Sequence, residues 1–405
     1  GLKINGASDS TRYALTVNDN DDDTVFMQVK GDGNVGIGVI PEATNSLASA
    51  LQLGGNAYWL STKAQGASGE LDFGHNFYWA ADGNQKYIST DEASQYRQGS
   101  GVHRFKTVAS GSADATITWT TNMVLDINSR ISLSNNDLGS NNTIFGKNAG
   151  NNAVSGSIEN VFIGEGSAGS GARHADSDGN TAVGYNTLNA VTEGAYNTAI
   201  GRAALSALTT GDGNIAIGSG AITTATTSTG LVAIGGGSLY NVNSTDADGA
   251  VALGVNAAHS LTDGSKTTAV GFRAMFNQTT GERNTVIGYQ AMHEADGGED
   301  FNTIIGSEAG YSINNDASHD NVLIGKNAMQ GGTGSVIGNI GIGSDVMNGV
   351  VNNNQTGTVA IGKNSLVELS TGSGNTAVGY ESGKNITTGA DNTAIGYNSL
   401  SANHS

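Results

Sequence analysis

The stretch "NTAIGYNSL" at residues 392–400 has near copies upstream: "NTAVGYNTL" at 180–188, "NTAIGRAAL" at 197–205 and "NTVIGYQAM" at 284–292. Aligned on the Gly of "AIG", the phrase occurs fifteen times, at Gly146, Gly164, Gly184, Gly201, Gly218, Gly235, Gly254, Gly271, Gly288, Gly306, Gly325, Gly343, Gly362, Gly379 and Gly396, spaced 17 to 20 residues apart. A unit this short cannot bury a core alone, so the repetition describes a stack of units before it describes any chemistry.

Read column by column, the residue three before each Gly is always β-branched, from Thr143 and Val161 to Thr393. The residue two before is Ala in nine copies, and the one before is always apolar. This period of two in β-branched residues predicts one short strand per copy. Four before the Gly, Asn fills eleven of fifteen copies, among them Asn180, Asn197, Asn214, Asn284, Asn302, Asn375 and Asn392. Asn suits a corner, and stacked corners allow its amide to bond to the next Asn. The residue three after the Gly is always Ala, Ser, Thr or Val, which reads as a second edge with limited interior room. The shortest copies also carry Gly194, Gly211, Gly281 and Gly389 seven before the aligned Gly, a second corner, while longer copies add residues in this connection. The expected architecture is all-β: a parallel β-solenoid of about fifteen coils, roughly 70 Å long at about 4.8 Å per coil. A helical-repeat solenoid is excluded, because no copy holds the roughly 10–12 residues of helical period that it needs. The Ala column is expected to face neighbouring chains, with the Thr/Val and Ile/Val columns filling each coil.

Composition agrees. Gly makes up 61 of 405 residues and Pro occurs once, at Pro41, which excludes collagen and suits tightly turning β-structure. The formal charge of −18 excludes the basic stripe that nucleic acid demands. Cys is absent, so no disulfide or thiolate metal site exists. No apolar run approaches the roughly 20 residues of a membrane helix, so no membrane insertion is expected. The first residues, "GLKINGASDS", lack an initiator Met and a signal core, and the last stop within a repeat, so the chain reads as a slice of a longer one.

Over 142–400 the repeat resembles the head repeat of trimeric autotransporter adhesins, Asn-Ser-Val-Ala-Ile-Gly followed by a small-residue segment. That resemblance implies a left-handed parallel β-roll in which three chains pack side by side, although adhesin-head repeats are shorter. Residues 1–140 lack the repeat and hold all three Trp residues, Trp59, Trp79 and Trp119. We read an extended, intertwined β segment at 1–44, a small β-domain and connector at 45–140, and the β-roll shaft at 141–405. Only "PEATNSLASALQL" at 41–53 reads as a short helix. "GNVGIG" followed by a small β-domain and then repeats resembles bacteriophage tail fibres. The resemblance implies a homotrimeric virion fibre whose partners are itself, other tail or baseplate proteins and a host cell-surface glycan. The rival settings are the head of a bacterial trimeric autotransporter and a glycan-degrading tailspike.

The chemical motifs are weak. "GDGNVG" at 31–36 matches G-x-G-x-x-G, but "IGVIPE" follows where a dinucleotide fold needs a helix, so a β-turn is the better reading. "DNDDD" at 19–23 crowds carboxylates without the alternating ligands of a calcium loop and reads as a solvated turn. His75, His103, His174, His259, His293, His319 and His404 are scattered; His174 lies near Asp176 and Asp178, and a surface His on a loop is the better reading than an ion site gathered on a threefold axis. Glycan hydrolysis needs two carboxylates held about 5–9.5 Å apart. The candidates Glu165, Glu282, Glu299 and Asp300 are not ranked by spacing. No catalytic residue, cofactor or metal is expected.

Overall fold

The computed structural model describes residues 2–4, 13–18, 25–30, 34–40, 48–53, 57–62, 70–80, 82–125, 131–133, 141–151, 156–171, 176–243, 245–350 and 352–402. "DNDDD", the first three residues of "GDGNVG", Pro41, His174 and His404 lie outside them. The chain divides into two compact units, 1–135 and 136–405.

The first unit is an eleven-stranded sheet with a separate two-stranded hairpin. Neighbours pair antiparallel except Val35–Ile37 with Ala48–Leu53, which run parallel. The helix expected at 41–53 is therefore not formed over its described part: Ala48–Leu53 is a strand between Val35–Ile37 and Ala57–Thr62. Ala, Leu and Gln favour helix locally, and pairing on both edges overrides that weak preference. A small core gathers Phe77, Tyr87, Ala93 and Ile117, with Trp119 meeting Phe77 edge to face at 5.4 Å between ring centres. Beside it, buried Asp72 accepts two bonds from Arg97 (2.6 and 3.0 Å) and one from Trp79 Nε1 (3.2 Å), so the desolvated carboxylate is fully engaged.

The second unit is a parallel β-solenoid whose sheet holds fifteen strands in sequence order, from Thr143–Phe145 to Thr393–Ile395. Register is kept column on column: Thr181, Ala182 and Val183 pair with Thr198, Ala199 and Ile200, and the next coils repeat it. A two-stranded pair, Val336–Ile337 with Gln355–Thr356, adds a second short edge in the later coils.

The orientation of the strands corrects the sequence reading. From Val161–Ile163 onward the central residue of each, the Ala column, is buried inside the coil, while the β-branched residue before it and the apolar residue after it are half-buried or exposed. A three-residue strand inserts one side chain, and a narrow coil admits only a small one. Larger residues occur there with a local exchange of volume. Ile144 and Phe162 fill the space that a Cβ on Gly150 would take, and Ile304 does so at Gly310. At Gly341 the missing methyl is filled by Leu323 and Met347. Close packing is kept by trading bulk between columns.

Four residues after the aligned Gly, Leu188, Leu205, Ile222, Leu239 and Met275 are fully buried yet sit at φ 47–53°, the left-handed region. A β-branched Ile there is unusual. Two interactions hold it. The amide of Leu205 donates to Ala221 O at 3.1 Å in the next coil, and that of Ile222 to Ser238 O at 3.1 Å. Burying each side chain also returns about 1.5–3 kcal/mol, more than the local strain.

Candidate functional site

Two columns explain why the repeat is so pure. Each aligned Gly has φ between 117 and 147°, and in all but the last a Cβ would lie 2.2–2.7 Å from the next coil's glycine backbone. Gly is required twice over, by backbone conformation and by close approach.

The Asn column forms hydrogen-bonded ladders through the buried corner. Asn197 donates from N and Nδ2 to Asn180 Oδ1 (3.0 and 3.1 Å), and Asn214 does the same to Asn197 Oδ1 (2.9 and 3.0 Å). Each Nδ2 also caps a corner carbonyl, as Asn197 does for Gly211 O (2.9 Å) and Asn180 for Gly194 O (2.8 Å). The ladder stops where Leu231 replaces Asn, resumes at Asn284, Asn302, Asn321 and Asn339, and returns at Asn375 and Asn392. These buried amides are satisfied largely by Asn oxygens and corner carbonyls of the adjacent coils.

A third column, five residues after the aligned Gly, went unnoticed in the sequence. Tyr240, His259, Phe276, His293 and Tyr311 stack ring on ring at 5.1, 5.1, 5.3 and 5.1 Å. Arg273 lies over both Phe272 and Phe276, at 5.2 and 5.3 Å. Burial pushes the His259 and His293 imidazoles below their usual range; for His293 the Glu294 charge opposes this and Arg273 adds to it. Burial thus favours the neutral form of both rings.

The carboxylates separate sharply by position. Glu165 is exposed beside Lys147 at 3.7 Å. Asp178 is tied to Ile158 N at 2.8 Å, and Asp300 accepts from Glu282 N at 2.7 Å. Glu299 differs: it stands in the corner column that elsewhere holds Gly or Ser in most coils, and it is fully buried. One oxygen atom of Asp296, one of Glu299 and one of Asp316 all lie within 4.8 Å of one another. Glu299 Oε2 accepts from Gly297 N (3.2 Å) and Asp316 Oδ1 from Gly298 N (3.2 Å), whereas Glu299 Oε1 meets no donor among the described residues. Burial pushes the Glu299 carboxyl up from 4.5 to about 7, and the negative charges of Asp296 and Asp316 add to the rise, against the backbone N–H groups of Glu299 and Gly297. Next to the triad, a cavity of about 420 Å3 is lined by Gly298, Asp300, Phe301, Asp316, His319 and Asp320, with His319 Nδ1 2.8 Å from Asp320 Oδ2. Sequence reasoning named Glu299 and Asp300 but not Asp296 or Asp316. The available signal was a double break in the repeat, Glu299 in a corner that is mostly Gly or Ser and Gln278 in a column that elsewhere holds apolar residues or Gly, such as Val191, Leu208, Val242 and Leu261.

No protein-family model, no curated protein and no solved structure matches this chain. Among the described residues, no helix is long and apolar enough to cross a membrane.

Proposed function

We propose that this chain is a structural segment of a bacteriophage tail fibre, a homotrimer of the virion that supplies rigid reach and attachment to the host surface. The observation that carries this reading is the unbroken in-register stacking of fifteen parallel strands. Each coil is fixed by backbone, Asn and Gly contacts to its neighbours alone, so length is added without a growing globular core. Such a body resists bending and carries its variation in the connections, where recognition of a host glycan would reside. Other tail or baseplate proteins are the expected partners at its ends.

With the Ala column inside, self-association falls to the outward columns. Ile163, Ile200, Ile234 and Ile287 keep more than a third of their surface exposed along one face, and a stripe of this kind is covered by another copy in a trimer. A binding rather than a hydrolytic role is supported by the cluster of Asp296, Glu299 and Asp316, whose oxygens lie within 4.8 Å of one another, closer than the about 5–9.5 Å that a hydrolytic pair needs.

The decisive experiment is immunogold labelling of virions with an antibody raised against residues 141–405, alongside sedimentation equilibrium of the purified chain. Gold on tail fibres and three times the chain mass are expected. Gold confined to a bacterial envelope assigns an autotransporter head instead, and loss of viscosity of a capsular polymer on incubation assigns a depolymerase. A monomer at micromolar concentration removes the trimer, and Ile200→Lys with Ile234→Lys is expected to produce that monomer from the wild type.

A further inference from the structure

The geometry points to a calcium site at Asp296, Glu299 and Asp316, clipping together two successive connections of the solenoid, those between Thr285–Ile287, Thr303–Ile305 and Val322–Ile324.

The first support is the spacing. Oxygen ligands sit about 2.3–2.6 Å from Ca²⁺, so two ligands of one ion are at most about 5 Å apart. Three carboxylate oxygens within 4.8 Å of each other satisfy that limit for a common centre.

The second support is independent of the crowding. Glu299 is fully buried, and its Oε1 has no hydrogen-bond donor among the described residues. A buried carboxylate oxygen left unpaired costs several kcal/mol, a cost that protonation or a bound cation removes, and the convergence with Asp296 and Asp316 is the geometry that suits the cation. The oxygen belongs to the side chain whose carboxylate converges with Asp296 and Asp316, both exposed, so the site is closed on the Glu299 side and open to water on the other. Open coordination positions filled by water are what a flexible calcium shell of six to eight ligands requires. A hard, oxygen-only ligand set also excludes metals that select thiolate or imidazole.

The local backbone is shaped for this approach. A Cβ on Gly297 would lie 1.8 Å from Asp316 Oδ1, so only Gly there lets the carboxylate of the following connection come in. Gly297 N and Gly298 N each orient one carboxylate oxygen of the triad, on Glu299 and Asp316 respectively. Glu299, a departure in the corner column, and Gln278, a departure in the core column, meet here: Gln278 Nε2 donates to Glu299 O at 2.8 Å. This site is independent of whether the chain belongs to a virion.

The test is calorimetric titration of the full chain with CaCl2 and, separately, MgCl2, after removal of divalent cations with EDTA. The variants are Asp316→Asn, Glu299→Gln and Asp320→Asn. Asn and Gln keep the oxygen that accepts from Gly298 N or Gly297 N, so circular dichroism is expected to be unchanged. Asp316→Asn and Glu299→Gln are expected to abolish one calcium equivalent or weaken it by about tenfold or more, the consequence of losing one of three anionic ligands. Asp320→Asn, in the cavity but outside the triad, is expected to bind as the wild type does. No difference between the wild type and both triad variants overturns the site, as does an equal loss in Asp320→Asn. Binding of magnesium without calcium overturns the assignment of the ion.

Discussion

Replacing Gly254 by Ala tests whether the solenoid is set by coil-to-coil contact. Gly254 has φ +138°, and a Cβ there would lie 2.4 Å from Gly271 O and 2.7 Å from Gly271 C. Two costs follow. An L-residue held in this Gly-only region costs on the order of 1–3 kcal/mol. Relieving the overlap moves the Gly271 backbone by roughly half an ångström or more, which weakens the bonds Gly271 N to Leu253 O (2.8 Å) and Ala274 N to Gly271 O (3.3 Å). At about 1 kcal/mol per bond, the total is about 3–5 kcal/mol. Two other glycines separate the contributions. Gly396 has φ +117° with nothing within 4 Å of its Cβ position, so Gly396→Ala carries the strain alone, about 1–3 kcal/mol. Gly213, at φ +64°, also has open space, and its counterparts Tyr196, Lys266 and Arg283 hold the same conformation at φ 53–57°. Gly213→Ala therefore costs about 1 kcal/mol. Native-state hydrogen exchange reads each cost locally, because a stacked array loses stability at the damaged junction first. Faster exchange at the Gly271 and Ala274 amides in Gly254→Ala, with little change elsewhere in Gly213→Ala, is expected. Equal effects of Gly254→Ala and Gly213→Ala would refute the close-approach argument.

Asn197→Ala leaves Asn214 N and Gly211 O without their buried partner, a loss of about 2–4 kcal/mol visible as a lowered denaturation midpoint, whereas Thr192→Ala, at a partly exposed hydroxyl, is expected to cost well under 1 kcal/mol. Glu299 has a folded-state pKa of about 7 against 4.5, so in EDTA the folded state binds the extra proton between those values, and stability falls as pH rises from 4.5 to 7 by about 3 kcal/mol. Glu299→Gln flattens that slope in a pH series of chemical denaturation, and an unchanged slope contradicts it. The imidazoles act in the opposite sense: with their folded pKa values depressed, the unfolded chain takes up protons first, so stability is lost as pH falls below 6.5. His293→Phe preserves the stack and is expected to reduce that acid-side loss, and a profile identical to the wild type would count against burial of this ring.

The glycine and asparagine columns were legible because each residue's decisive neighbour is its own counterpart one coil away. Gly254 meets Gly271 and Asn197 meets Asn180, so a self-contact is written into the sequence as an identity. Period-two alternation, by contrast, separates two faces without saying which is inside. The Ala column was assigned outward because small residues permit close approach of neighbours, yet Phe162, Ile304 and Leu323 in that column are fully buried. Phe in a column of Ala is intelligible only as filling, paired with a Gly that yields the space, as at Gly150. The acidic triad was hidden for a different reason. Asp296 and Asp316 occupy connections of unequal length, and whether they converge depends on how each connection closes, which no column records. What the sequence did hold was the break itself. In an array where every coil templates the next, a carboxylate in place of Gly at 299 and an amide in place of Leu at 278 both disturb their neighbours, and both fall at the same junction. Two costly departures that touch each other are better explained by one compensating interaction than by two unrelated defects, which makes the position of a repeat's errors as informative as the repeat.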